Sequence, residues 1–426
     1  MTESTFPENM RAYRSWRETP AEHQGGRVFG HRATDSRQGV DFGRLRAERL
    51  GRLQAAMRQH DLAALLLTSG DNVRYACAPP DVFWKSGTGL RYALVFPEGR
   101  PLLFETVGPD LEYAEQHCPW LAGRIHPAIT AIHAETAAER QLRRWADQIS
   151  AHLRSEGVDP ASRVGVDTLD FVSHGILREA GVSVVPAGGA IKSARLVKTA
   201  DELELLKLAS QLSSICFYKL RHEWVRPGAR ECEVAGKIVE YYTAEGGHAT
   251  GAIVATGCNT NPLFRGFTDK LIEPGDMCIV DLGFATYLGY GSDYIRCWPV
   301  AAAFTPSQRE AYRRCYDWLQ AALTVVRAGT TTADIAEHLP PDADDVYGSG
   351  SVLQAGHSVG LGVFDGLLIS RAWSLEYPVP IEKNMYLAIE TYCALPDGAA
   401  ARLEENVVVT DTGYELYSRF PFEAVG

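Results

Sequence analysis

The stretch DLGFATYLGYGSDYIRCW, residues 281–298, decides how the second half of this chain folds. Two strand-like apolar runs lie on either side of a Gly-Tyr-Gly turn, and each run contains one aspartate, Asp281 or Asp293. Burying an ionised carboxylate is costly unless a cation or hydrogen-bond donors compensate its charge. We therefore expect either a bound cation beside these two strands or a solvated sheet edge.

Further along the chain, two more acids and one histidine have the same character. Glu390 lies in the apolar run YLAIETY, Glu404 in ARLEENVVV, and His357 in the glycine-flanked AGHSVGLG. Oxygen ligands with a single imidazole, and no thiolate, are a donor set that suits Mn, Fe, Co or Zn. Two divalent ions about 3.5–4 Å apart can neutralise several buried carboxylates together. The pattern predicts a site for two such ions on Asp281, Asp293, His357, Glu390 and Glu404.

Composition limits the remaining function classes. The chain has 426 residues, enough for two domains, and its 46% apolar and 22% charged residues are typical of a globular protein. It has no apolar run long enough to cross a membrane, and its polar beginning lacks the apolar segment of a secretory signal. Nine cysteines without a CxxC pair indicate a reducing, cytoplasmic location. A net charge of −11 argues against nucleic-acid binding.

Hydrophobic periodicity divides the chain into three segments. Residues 1–42 have no clear period. They form either an arm that lies over the body of the protein or over a second subunit, or a disordered tail. Residues 43–193 alternate helix and strand patterns: a helix from Phe42, a strand in AALLLTS, and further β segments in NVRYACA and RYALVFPEG. Residues 194–426 begin with a helix capped by Thr199 and continue through the acid-bearing strands. The predicted fold class is α/β (α+β).

The motifs of the second half resemble metallopeptidase family M24, which has the pita-bread fold. LIEPGDMCIVDLG, SDYIRCW and RLEENVVVTDTGYE are similar to the family's metal-binding elements, and His357 and Glu390 match the two remaining ligands. The resemblance implies that Glu404, rather than Glu405, is the last ligand. It further implies a creatinase-like N-terminal domain over residues 43–193, a pita-bread catalytic domain over 194–426, and a homodimer.

Two positions depart from the peptidases of this family. Where the family carries two further histidines that handle the substrate, this chain has Phe264 and Phe364. A phenyl ring transfers no proton, so efficient peptide hydrolysis is not expected. An aromatic wall suits an onium group instead, through cation–π attraction. Trp84 and Trp373 are further candidates for lining such a substrate pocket.

Other motifs resemble the dimethylsulfoniopropionate lyases of the same family. These are NTNPLF, NVRYACA, the ending VTDTGYE…FPFE, and the spacing between Asp281 and Asp293. Two acids of those lyases are replaced here by Gly283 and Val363. Asp365 is the nearest carboxylate to the second position and the candidate general base. Proton transfer by a tyrosine is an alternative, with the candidates Tyr287, Tyr290, Tyr294 and Tyr347.

Three functions therefore remain open. The first is a metal-dependent lyase that eliminates a cationic sulfonium or ammonium head from a small carboxylate substrate. The second is a metal-dependent hydrolase that cleaves a C–N bond, like creatinase or ectoine hydrolase, or an Xaa-Pro dipeptidase. The third is a metal-free scaffold, which the five retained ligands argue against. In each enzyme reading the partner is a small molecule, and no nucleic acid or membrane is involved.

Overall fold

The computed structural model describes residues 39–79, 91–130, 135–339 and 355–424. The predicted arm lies almost wholly outside these residues, as do Trp84 and Tyr347. The chain divides into two compact units between Ala194 and Arg195. In the described part of the chain, no helix is both long and apolar enough to cross a membrane.

The first unit is built around a six-stranded mixed sheet with the order β4-β3-β2-β1-β5-β6. Its strands are β1 Ala64–Leu67, β2 Tyr92–Val95, β3 Leu102–Glu105, β4 Ile125–Pro127, β5 Val164–Val166 and β6 Val184–Pro186. Its helices are α1 Phe42–Gln59, α2 Gly70–Cys77, α3 Pro109–His117, α4 Ala138–Ser155, α5 Phe171–Glu179 and α6 Gly188–Arg195. The core of this unit contains the aromatic side chains of Tyr92, Phe104 and Trp145.

One sequence prediction in this unit is wrong. NVRYACA is not a β segment, because residues 72–77 belong to helix α2. Val73, Tyr75, Ala76 and Cys77 are all buried there. A short apolar run buried nearly all round has no clear period, so periodicity does not separate helix from strand. The predicted helix from Phe42 and the strand in AALLLTS are confirmed.

The second unit begins with helices whose caps are visible in the sequence. Helix α7, Ala200–Lys219, starts at a capping box in which Thr199 and Glu202 exchange hydrogen bonds, so the predicted cap is confirmed. A π-helical turn, Leu220–Trp224, follows. The further helices within the described residues of this unit are α8 Glu231–Ala244, α9 Pro306–Thr324, α10 Thr332–Ala336 and α11 Arg371–Ser374.

Among the described residues of this unit, the strands form three antiparallel sheets. Their orders are β11-β10-β7, β12-β9-β8 and β14-β13-β15-β16-β17. The first two sheets comprise β7 His248–Ala249, β8 Ile253–Thr256, β9 Met277–Asp281, β10 Ala285–Tyr287, β11 Tyr290–Ser292 and β12 Ile295–Pro299. The third comprises β13 Gly356–Ser358, β14 Leu368–Ile369, β15 Tyr386–Ala394, β16 Ala400–Val409 and β17 Tyr414–Leu416.

Helices bury the apolar faces of these strands. Tyr312, Cys315 and Leu319 of α9 share one core with residues of β15 and β16. Phe217 of α7 and Ile238 of α8 belong to a second core with residues of β8, β9 and β12. Side chains alternate between the two faces of a strand. The acids of β9, β15 and β16 therefore lie on strands whose other side chains fill these two cores.

Candidate metal centre

Strand register brings three of the predicted ligands to one sheet face. Glu390 of β15 lies directly opposite Glu404 of β16. His357 of β13 lies opposite Ala388, two residues before Glu390 on the same strand. Directly opposed residues and residues two apart share a face of a sheet, so the side chains of His357, Glu390 and Glu404 lie on the same side.

The two aspartates come from the neighbouring sheets. Asp281 ends β9, where it pairs with Ile295 of β12, and Asp293 follows β11 directly. Asn406 fastens the Asp293 loop to β16, because its side chain accepts the Asp293 N–H at 3.1 Å and donates to the Asp293 carbonyl. Tyr386 in turn donates to the Asn406 side chain at 2.9 Å.

Asp293, His357 and Glu404 form a buried three-residue cluster. One potential ligand atom from each lies within 4.8 Å of the others. His357 Nε2 is 3.1 Å from Asp293 Oδ2 and 4.0 Å from Glu404 Oε1. His357 Nδ1 is 3.2 Å from the Ser358 carbonyl, which only accepts, so Nδ1 donates and Nε2 is the atom facing the carboxylates.

Arg402 contacts the two predicted ligands outside this cluster, Asp281 and Glu390. Its guanidinium donates to Glu390 Oε2, with Nε at 3.0 Å and Nη2 closer, and its Nη1 is 3.5 Å from Asp281 Oδ2. Neither Arg402 nor Asn406 is among the site residues predicted from the sequence. Both lie two residues from Glu404, so strand alternation in ARLEENVVV would have placed all three on one face.

Burial and repulsion by neighbouring carboxylates disfavour the negative charge of Asp281 and Glu404. Burial, reinforced by the neighbouring Asp293 carboxylate, raises the pKa of Asp281 to about 7. Burial and the same neighbour hold the pKa of Glu404 well above its usual range. Burial alone would lower the pKa of His357, but the hydrogen bond and the charge of Asp293 outweigh it and raise that pKa. The carboxyl groups of Asp281 and Glu404 therefore favour the protonated form unless further positive charge is bound beside them.

The donor set fits a divalent cation. Glu404 Oε2 is buried and has no hydrogen-bond partner within the described part of the protein, a costly state for a carboxylate oxygen. A cation among Asp293, His357 and Glu404 would satisfy that oxygen, and one imidazole with carboxylates is a donor set that Mn, Fe, Co and Zn accept. Glu405 points elsewhere, because Arg296 and Ser418 bind its carboxylate.

The predicted substrate-binding and proton-transfer residues differ in how far they are exposed to solvent. The Phe364 ring lies 4.5 Å from the His357 ring, tilted by 38°, and remains mostly exposed. Phe264 and Trp373 are each about half exposed, in the loop after β8 and in α11. Among the tyrosines, Tyr290 donates to Glu202 and Tyr294 to Ser214, and both are buried.

The geometry argues against the general-base role predicted for Asp365. The carboxylate is only 5% exposed, and its two oxygens form ion pairs with Arg195 and Lys198. A general base must reach a proton of the substrate. A buried carboxylate held by two cations is poorly placed to do so, and its contacts are those of a structural residue.

Comparison with known proteins agrees with this architecture. Residues 204–411 match the profile of metallopeptidase family M24, and residues 49–197 match that of the creatinase/prolidase N-terminal domain. The probable dipeptidase PepE of Mycobacterium tuberculosis is 28% identical over 396 residues, covering 89% of this chain and 96% of its own. The Xaa-Pro dipeptidase of Pyrococcus furiosus is 30% identical over 227 residues, covering 52% and 63%.

A solved structure shows the same fold over most of the chain. Dipeptidase PepE from Mycobacterium ulcerans superposes with a TM-score of 0.70 at 25% identity, covering 90% of this chain and 98% of its own. These relatives are dipeptidases by name and do not support the lyase branch predicted from the sequence. The predicted fold class is confirmed: the chain joins a creatinase-type N-terminal domain to a pita-bread domain of metallopeptidase family M24.

Proposed function

We propose that this protein is a metal-dependent hydrolase that cleaves a C–N bond in a dipeptide or a similarly small substrate. The observation that carries the proposal is the buried cluster of Asp293, His357 and Glu404, in which one carboxylate oxygen has no partner in the described chain. The M24 domain and the dipeptidase names of the relatives support hydrolysis over elimination.

Two divalent ions, of Fe, Mn, Zn or Co, would be held by Asp281, Asp293, His357, Glu390 and Glu404. When bound, such ions supply Lewis acidity to a substrate carbonyl and lower the pKa of a water. Arg402 holds Asp281 and Glu390 in place, and Asn406 fixes the backbone at Asp293. These contacts orient the carboxylates before substrate arrives, which limits reorganisation during the reaction.

The substrate differs from that of an ordinary Xaa-Pro peptidase. At Phe264 and Phe364, the family resemblance implies histidines that exchange protons with a peptide substrate. Losing one such group typically costs about 10²–10⁴ in rate. We therefore expect a substrate whose leaving group needs little help from an acid, and whose surface packs against the exposed phenyl rings.

Elimination from a small onium carboxylate is the second candidate, favoured by the exposed aromatic ring of Phe364 beside His357. Gly283 weighs against it, because the lyases carry an acid at that position. A Cβ at Gly283 would lie 2.9 Å from Asp293 Cγ and closer still to its Oδ1. The present backbone therefore leaves no room for an acidic side chain unless Asp293 moves.

Turnover in ¹⁸O-labelled water separates the two candidates. Protein reconstituted with Mn, Fe, Co or Zn is incubated with dipeptides, N-acyl amino acids and dimethylsulfoniopropionate, and the products are weighed by mass spectrometry. Hydrolysis places ¹⁸O in the acid product and releases an amine, whereas elimination gives an alkene without the label. Asp293→Ala serves as the inactive control. A metal-loaded protein that yields only an unlabelled alkene would overturn the hydrolase proposal.

A further inference from the structure

The loop after the histidine ligand is closed at its base. The loop of residues 359–366 lies between β13 and β14. Ser358 N donates to the Leu367 carbonyl at 3.0 Å, and Leu367 N donates to Ser358 Oγ at 3.0 Å. Asp365 N donates to the Ser358 carbonyl at 2.9 Å. The backbone of Asp365 is thus tied to the residue that follows His357.

The side chain of Asp365 ties the same loop to the start of the second unit. Oδ1 is 2.6 Å from Arg195 Nε, and Oδ2 is 2.5 Å from Lys198 Nζ. Lys198 is completely buried and also donates to the Arg195 carbonyl at 2.8 Å. Arg195 Nη2 donates to the Leu361 carbonyl, inside the loop. Backbone and side-chain bonds therefore fix both the middle and the end of the loop.

The charged side chains of Asp365 and Lys198 pack so closely against position 360 that only a glycine fits there. A Cβ at Gly360 would lie 2.8 Å from both Asp365 Cγ and Lys198 Nζ, closer than real Cβ contacts. Phe364, which directly precedes Asp365 in the sequence, is not enclosed in this way, since 64% of its side chain is exposed. Its ring nevertheless lies on the His357 ring, with 4.5 Å between the centroids.

We propose that Asp365 is a positioning residue: its ion pairs with Arg195 and Lys198 hold the 359–366 loop so that Phe364 covers His357. An exposed phenyl side chain has several rotamers open to it, and covering one face of a polar site requires a fixed backbone. The consequence for catalysis rests on the proposed function, in which His357 is a metal ligand. There, the fixed ring excludes water from one side of that ligand and forms a wall for substrate.

Removing the carboxylate should release the ring. Asp365→Asn removes the carboxylate charge beside the buried side chains of Arg195 and Lys198, and breaking a buried ion pair by removing one partner is strongly destabilising. Water entering to solvate the two basic side chains would open the loop and separate Phe364 from His357. Lys198→Met is milder, because it keeps the Asp365–Arg195 pair and fills the space of the lysine stem.

Fluorine NMR of protein labelled with 4-fluorophenylalanine and loaded with zinc tests this without any substrate. The Phe364 resonance, one of 15, is assigned by its loss in Phe364→Leu. We expect Asp365→Asn to move that resonance most of the way to the value of an exposed fluorophenyl ring, and Lys198→Met to move it part of the way. Asp411→Asn is the matched control, since it makes the same chemical change in an exposed ion pair with Lys383 and should leave the resonance in place.

An unchanged Phe364 resonance in folded Asp365→Asn overturns the positioning role. If that variant fails to fold, Lys198→Met decides: a shift towards the exposed value supports the proposal, and an unchanged resonance overturns it. Because the spectrum reports ring position and not turnover, it is independent of which reaction the protein catalyses. A hydrolase proposal refuted by labelled water would leave this result standing.

Discussion

A side chain at Gly283 would meet both aspartates, so replacing this glycine with alanine tests the metal centre directly. Gly283 N donates to Asp281 Oδ1 at 2.8 Å. A Cβ at this position would lie 2.9 Å from Asp293 Cγ and 3.1 Å from Asp281 Oδ1. Carbon atoms in contact prefer separations of about 3.5–4.0 Å, so the Asp293 carboxylate would have to retreat by roughly 0.6–1.1 Å.

That displacement exceeds what a metal ligand tolerates. Ligand distances in working sites lie within about 0.2 Å of their ideal values. Disturbing the groups that orient ligands typically weakens metal binding by about 10–100-fold, which corresponds to about 1.4–2.7 kcal/mol. We expect Gly283→Ala to weaken zinc binding by at least this factor. Overpacking should also lower the stability of the metal-free protein by about 1–3 kcal/mol.

Zinc affinity is measured by competition with a chromophoric chelator, and stability by urea unfolding in the presence of EDTA. Gly236→Ala is the matched control, because Gly236 is exposed within α8 and a Cβ there meets nothing within 4 Å. Alanine should stabilise that helix by about 0.5–1 kcal/mol without changing zinc affinity. Wild-type zinc affinity in a folded Gly283→Ala variant would refute the assignment of Asp281 and Asp293 as neighbouring ligands.

Four further predictions concern the same protein. Asp293→Ala should lose bound metal, measured by elemental analysis after purification without chelator; a wild-type metal content would contradict the ligand set. Because burial and Asp293 raise the pKa of Asp281 from 3.8 to about 7, the metal-free fold loses stability as the pH rises through this window. A cation binds the deprotonated carboxylate, so zinc should raise the melting temperature more at pH 8 than at pH 5.5; an equal gain at both would contradict the coupling. On Xaa-Pro dipeptides we expect kcat/KM below about 10² M⁻¹s⁻¹, against about 10⁴–10⁸ M⁻¹s⁻¹ for cognate substrates; robust turnover would show that other residues replace the histidines absent at Phe264 and Phe364. Light scattering should give twice the 46.7 kDa mass of one chain, and a monomer at micromolar concentration would refute the proposed homodimer.

The sequence alone determined the elements that depend on local chemistry. Thr199 caps helix α7 as predicted, because a cap depends only on residues close in sequence; the structure adds that Glu202 completes a capping box. The acids at Asp281, Glu390 and Glu404 are recognisable in the sequence because each interrupts an apolar strand run. The short run NVRYACA was misassigned, since local periodicity is ambiguous in a segment that is buried nearly all round.

Only the tertiary structure decided how these side chains meet. Arg402 reaches Asp281 across 121 positions of sequence, Asn406 reaches Asp293 across 113, and Lys198 reaches Asp365 across 167. Strand register decides which of two adjacent glutamates faces the site, since a shift by one residue reverses every side chain. The sequence showed a carboxylate at Asp365, but its ion pairs with Arg195 and Lys198, on which the proposed positioning role rests, are formed by residues too far apart in sequence for any local pattern to reveal.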